Sequence, residues 1–310
     1  MLQRPPSLPP GAPVAVVAPA SPPRSLSTYE EGLTELKKTY DVQSAWTSGA
    51  ERGYLSAPDS DRLAAVHRAI ESPDIRAILC VRGGYGCLRL LHRIDWRLAR
   101  QHPTLLVGYS DVTALQLAFY AKAGWTGLSG PVVTEWAKAD AATLDSFRAW
   151  SQGRVPELVE AFEATLTPLS PGTATGPLLG GNLAVLSRLV GTRFAPTFKG
   201  AVLVLEEVSE EPYRVDRMLA HLSHAGVLDN VAGVILGHFS TGDLDPKTPT
   251  LSLETVFEDY FGARPYPVVK GLPYGHLLPR CSLPIGVPIK IHATRSEATV
   301  KAQSPVVEPG

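Results

Sequence analysis

Cysteine is scarce in this 310-residue chain: Cys80, Cys87 and Cys281 are an odd number, widely spaced and without a CxxC pair. Neither a disulfide framework nor a zinc knuckle is suggested, and a reducing cytoplasm is the expected setting. No block of Lys and Arg appears and the formal net charge is -1, so the electrostatic footprint of a nucleic-acid binder is missing. No window approaches the roughly 20 apolar residues of a membrane span. The first residues, MLQRPPSLPPGAPVAVVAPAS, are broken by proline where a secretory signal needs an apolar stretch, and they read as a ragged tail before a first strand. There is no HExxH and no Cys/His cluster, so a metal mechanism has no visible ligands. No cofactor motif stands out either. RGGYG (82–86) is no dinucleotide fingerprint, because Arg89 stands where the third glycine belongs, and it lacks the GKS or GKT of a phosphate loop.

What is present is an ordinary globular composition, 44% apolar and 19% charged, on a chain long enough for two cores. PVAVVA (13–18) reads as a buried strand followed by the Pro-rich loop APASPPR. A helix follows, with Ser27 and Glu30 in capping-box relation and Tyr29, Leu33, Leu36 and Tyr40 on one face. A second helix is expected from about Ser60 to Ile70. AILCV (77–81) then runs into RGGYG, and TLLVG (104–108) runs into YSD and an apolar helix. This alternation predicts an α/β domain with a parallel sheet over residues 1–150, with its site at the carboxyl ends of the strands. Residues 151–177 lose periodicity and gather Pro, Gly, Ser and Thr, the mark of an interdomain connection. A second domain, 178–310, is expected to be mixed α/β and rich in strands: AVLVLEE (201–207), VAGVILGHF, PVVKGL, and GVPIKIHA pairing with ATVKA across TRSE. A helix is expected to start at Pro212.

Four residues, at three places in the chain, carry possible chemistry. Ser110, in GYSD, stands on a tight strand-to-helix turn, where a side chain projects clear of the sheet and free helix N–H groups can stabilise an oxyanion. From the turn alone an N-cap serves as well. It is not the α/β-hydrolase elbow, since Val112 replaces the second glycine of GxSxG. Glu206 and Glu207 end an apolar strand, as solvent-facing carboxylates or as partners of a histidine. His276 lies in a Gly- and Pro-punctuated loop, GLPYGHLLPRCSLPIG. The remaining histidines, His238 among them, have no companion motif.

Taken together, VAVVAPAS, DSDRLAAVHRAIESPDIRAILCVRGGYG, VGYSDVTAL, GGNLAVLSRLVGT, VLVLEEVSEEPYRVDRML, GVILGHF and GHLLPRCSLPIGVPIKI resemble the LD-carboxypeptidase family of serine peptidases, which also holds the microcin C immunity peptidases. The resemblance spans nearly the whole chain. It implies a flavodoxin-like or class I amidotransferase-like first domain, Ser110 as nucleophile, Glu206 as triad acid and His276 as base. The nucleophile then comes from the first domain and the other two from the second. Glu207 remains an alternative to Glu206. The oxyanion hole implied uses the N–H groups of Gly84 and Asp111. The implied substrate is a small peptide, the murein tetrapeptide, cut at the bond between an L-configured centre of its diamino acid and terminal D-alanine. Homodimerisation and cytoplasmic cell-wall recycling are also implied.

Arg82 and Arg280, each beside a site motif, are candidates to hold the substrate carboxylate by position and charge. An immunity-type peptidase cleaving peptidyl or aminoacyl nucleotides is the alternative, with Trp136 as the aromatic that could stack on a base. A binding protein for peptidoglycan fragments, without catalysis, is the second.

Overall fold

The computed structural model describes residues 2–242 and 249–309. Its strands, in chain order, are β1 (Pro13–Val17), β2 (Asp41–Ser44), β3 (Ala77–Cys80), β4 (Leu105–Val107), β5 (Gly127–Ser129), β6 (Thr167–Ser170), β7 (Gly172–Asn182), β8 (Val202–Glu207), β9 (Gly233–Phe239), β10 (Val268–Lys270), β11 (Leu283–Ile285), β12 (Pro288–Ala293) and β13 (Ala298–Ala302). Packing divides the chain into two units. One is Met1–Pro156 with Ser282–Gly286 and Pro305–Gly310; the other is Glu157–Cys281 with Val287–Ser304.

The first unit is an α/β domain on a six-stranded sheet ordered β11-β5-β4-β3-β1-β2. The pairings among β1 to β5 are parallel, and only β11 runs antiparallel, on β5. Every residue of β3 and β4 is buried, as expected of parallel strands covered on both faces. Helices Leu26–Lys37, Asp59–Glu71, Trp96–Gln101, Thr113–Ala123 and Ala141–Ser151 belong to this unit. The helix after β4 is buried along most of its length, which makes it a rigid support for the turn that precedes it.

The second unit holds a seven-stranded mixed sheet, β13-β12-β7-β8-β9-β10-β6. Its centre, β7 to β10, is parallel, while β6, β12 and β13 pair antiparallel. The β12–β13 hairpin forms across the expected turn. Helix Pro212–His224 begins with its proline in the first turn and buries Val215, Met218, Leu219 and Leu222, residues spaced three and four apart as one helical face requires.

Three local expectations change. The first helix is capped by Ser25, whose side chain accepts from Thr28 N–H, and Ser27 instead meets the Ser25 hydroxyl at 2.8 Å. The N-terminal residues are not ragged: Leu8 is fully buried and its N–H donates to Ser151 O at 2.7 Å. Within 151–177 the chain forms β6 and the start of β7. There Gly, Thr and Pro alternate between inner and outer faces, a pattern too polar to announce a strand by hydrophobicity.

Candidate active site

Ser110 is the third residue after β4 and opens a short 3-10 turn, Ser110–Val112, that leads into helix Thr113–Ala123. Its backbone is left-handed, with φ of 63°, a conformation costly for a residue with a Cβ and one that persists only when its surroundings enforce it. Gly83 leaves the room this turn occupies. A methyl group on Gly83 would lie 2.7 Å from Ser110 Cβ, 2.9 Å from Ser110 Oγ and 3.3 Å from the Asp111 nitrogen. The two strand-end turns, RGGYG after β3 and GYSD after β4, are therefore closely packed, and they meet at the Ser110 side chain.

Side chains fasten these turns. The Asp111 carboxylate is buried and accepts from Cys87 N–H at 2.8 Å. Burial pushes its carboxyl above the usual range, with the Cys87 N–H pulling it back. Gly84 has φ of 104° and lies against Ser21, whose Oγ takes the Tyr85 N–H at 3.1 Å. Buried Arg62 donates to Gly86 O at 3.1 Å, to Pro19 O, and to Asp59 at 2.6 Å. One guanidinium thus ties the loop after β1 to the glycine turn. The buried cysteines of this unit are inert at neutral pH, since burial raises both Cys80 and Cys87.

In the second unit, Glu206 Oε2 accepts from His276 Nδ1 at 2.7 Å. Glu206 is 0% exposed, and its other oxygen, Oε1, has no hydrogen-bond partner among the described residues. Gly275 permits the approach: a methyl there would stand 3.1 Å from Glu206 Oε2. Glu207 is used differently. Its oxygens accept from Asn182 Nδ2 at 2.9 Å, Ala184 N at 2.7 Å and Val208 N at 2.9 Å, pinning the end of β7 and the start of helix Leu183–Leu189. Burial raises its pKa, and those three donors oppose the rise. The carboxylate that meets the histidine is Glu206.

His238 is a neighbour the sequence did not announce. It is the penultimate residue of β9, beside Glu206 in β8, where the register shifts between Leu205 and Glu207, and its N–H donates to Tyr274 O at 2.7 Å. Burial holds its imidazole below the usual value; the Glu206 charge works against this and His276 with it.

The remaining candidates divide. Arg82 is half-buried, donating to Pro22 O at 3.1 Å, with its pKa lowered by burial and by the nearby charge of Arg24. Arg280 is 2% exposed and donates to Leu277 O at 3.4 Å, within the loop that carries His276. Trp136 is 4% exposed, with edge-to-face contacts to Phe147 at 5.1 Å and Tyr40 at 6.3 Å. It is core packing and presents no stacking surface. Among the described residues no group of three or more His, Cys, Asp or Glu could hold a metal ion, and no helix is long and apolar enough to cross a membrane.

A serine on a strained strand-to-helix turn, and a buried carboxylate hydrogen-bonded to a histidine, are each features that serine-type peptidases use. The chain belongs to the LD-carboxypeptidase family: residues 14–130 match the LD-carboxypeptidase N-terminal domain and residues 175–291 the LD-carboxypeptidase C-terminal domain. It is 34% identical over 308 residues to a probable murein peptide carboxypeptidase of Bacillus subtilis, covering 96% of this chain and 94% of that one. To the murein tetrapeptide carboxypeptidase of Pseudomonas aeruginosa it is 34% identical over 274 residues, 85% of this chain and 87% of the other. The crystal structure of muramoyltetrapeptide carboxypeptidase from Oxalobacter formigenes superposes with a TM-score of 0.83 at 28% identity, covering 95% of this chain and 100% of that one.

Proposed function

We propose that the protein is a serine carboxypeptidase that removes terminal D-alanine from murein tetrapeptides, with Ser110 as nucleophile, His276 as base and Glu206 as the residue that orients it. The bond of 2.7 Å from His276 Nδ1 to buried Glu206 carries the reading. It fixes the tautomer that leaves Nε2 to accept a proton, and it stabilises the imidazolium that results. The relatives named for murein peptides supply the substrate class.

In this mechanism His276 takes the Ser110 proton as Oγ attacks the carbonyl of the scissile bond. N–H groups of Gly84 and Asp111 hold the oxyanion, removal of one such donor costing about 10²–10³ in turnover. His276 then gives its proton to the departing D-alanine amine. Water, deprotonated by the same imidazole, hydrolyses the acyl-enzyme. Arg82 is assigned to the substrate's terminal carboxylate. A cytoplasmic setting is supported by three buried free cysteines, and a homodimer by the family resemblance.

Incubating the protein with a murein tetrapeptide and with a peptidyl nucleotide, and assaying released D-alanine against released nucleotide, tests the substrate. Nucleotide release without D-alanine release overturns it.

A further inference from the structure

Among the described residues the strongly exposed aromatic side chains are Tyr54, Tyr85 and Tyr213, at 65%, 46% and 49%. Tyr213 already has cationic partners, with the guanidinium groups of Arg214 and Arg217 at 5.7 and 5.2 Å from its ring. Tyr54 and Tyr85 meet each other edge to face at 5.3 Å. Neither phenol hydroxyl has a hydrogen-bond partner among the described residues.

Their backbones are nevertheless fixed. Tyr85 N–H is held by Ser21 Oγ at 3.1 Å. Tyr54 sits in a turn closed by two hydrogen bonds between Arg52 and Leu55, at 3.0 and 3.1 Å. Buried Leu55 packs so closely on Gly86 that a methyl there would come 2.9 Å from its Cδ2. Two rigidly mounted, solvent-facing tyrosines, with Arg89 held beside them by Asp59 at 2.9 Å, combine apolar ring faces with hydroxyl and guanidinium donors. That is the chemistry that recognises a sugar ring, which presents C–H groups on one face and hydroxyls at its rim.

We infer that Tyr54 and Tyr85 form a subsite for the pyranose ring carried by the amino end of the substrate peptide. The inference rests on the proposed murein-peptide reading. The reach agrees with it. Tyr85 lies two residues from Gly83, which touches Ser110, so their α-carbons are within about 7 Å and the ring extends further. Three α-linked residues at full extension span about 11 Å, the same scale as the distance the Tyr85 ring reaches from Ser110.

The test is steady-state kinetics on two substrates, the free tetrapeptide and its N-acetylmuramoyl form, with the wild type, Tyr54→Ala, Tyr85→Ala and the two Phe variants. The Ala variants are expected to raise KM for the muramoyl substrate by about five- to tenfold at unchanged kcat. They should leave the free tetrapeptide unaffected, and the Phe variants should retain most of the preference. Equal effects on both substrates, or on neither, overturn the subsite while leaving the peptidase intact. An effect seen only with a peptidyl nucleotide assigns the pair to a base and also overturns it. Failure of the wild type to release D-alanine from either substrate overturns the peptidase reading, and the subsite with it.

Discussion

Gly83 and Ser110 are packed so closely that a single methyl on the glycine would stand 2.7 Å from the serine Cβ and 2.9 Å from its Oγ. The atom in the way is on a short side chain at a strained turn, so it cannot swing aside. Gly83→Ala is therefore expected to displace Ser110 and lower kcat/KM about 10²-fold, the scale of a misplacement near 1 Å. Kinetics together with a thermal melt check it, since the melt should fall far less than activity does. Full activity in this variant contradicts the assigned contact.

Glu206 and Glu207 are adjacent in sequence and separable in function. Glu206→Gln should lower kcat about 10³–10⁴-fold, because the imidazole loses the acceptor that fixes its tautomer. Glu207→Gln should act on stability, since one of three backbone or amide donors then faces an amide NH₂ at a cost of about 1–3 kcal/mol. Its kcat should stay within a few-fold. Paired denaturation and turnover measurements separate the two roles, and an exchange of these outcomes would make Glu207 the triad acid.

Asp111 links stability to pH. Burial raises its pKa in the fold, so the folded chain holds a proton that the unfolded chain has released. Stability is then greatest below the usual carboxylate value of 3.8 and falls as pH rises through the folded value. Asp111→Asn keeps an acceptor for Cys87 N–H and removes the ionisation, so the difference in unfolding free energy between variant and wild type should widen in the variant's favour across that window. Denaturant titrations at a series of pH values read it, and a constant difference contradicts the raised pKa of Asp111.

His238 has the opposite sign. Its pKa is lowered by burial, so on acidification the unfolded chain binds the proton first, and stability falls as pH drops from about 6.5 through the folded value. His238→Gln should flatten that part of the stability profile. An unchanged slope would show that His238 is not held neutral.

Much of this arrangement was legible from the chain. Buried strands such as Ala77–Cys80 and Val202–Glu207 announce themselves by unbroken apolar runs, and the βα turns that follow them mark where side chains emerge. The Ser, Glu and His assignments came from the family resemblance, and the contact between Glu206 and His276, 70 residues apart, depends on tertiary folding. Strands β6 and β7 were hidden because Thr, Gly and Pro fill their faces. Trp136 reads as available because its burial against Tyr40, far away in sequence, and Phe147, on the following helix, arises only in the folded chain. His238 was missed for a related reason: it meets Glu206 through strand register, across a bulge that no local pattern records.

The central claim is tested most directly by D-alanine release from a murein tetrapeptide with Ser110→Ala and His276→Ala. Each folded variant is predicted to fall to background while still binding the peptide. Wild-type turnover in either one would contradict the assignment of Ser110 as nucleophile and His276 as its base.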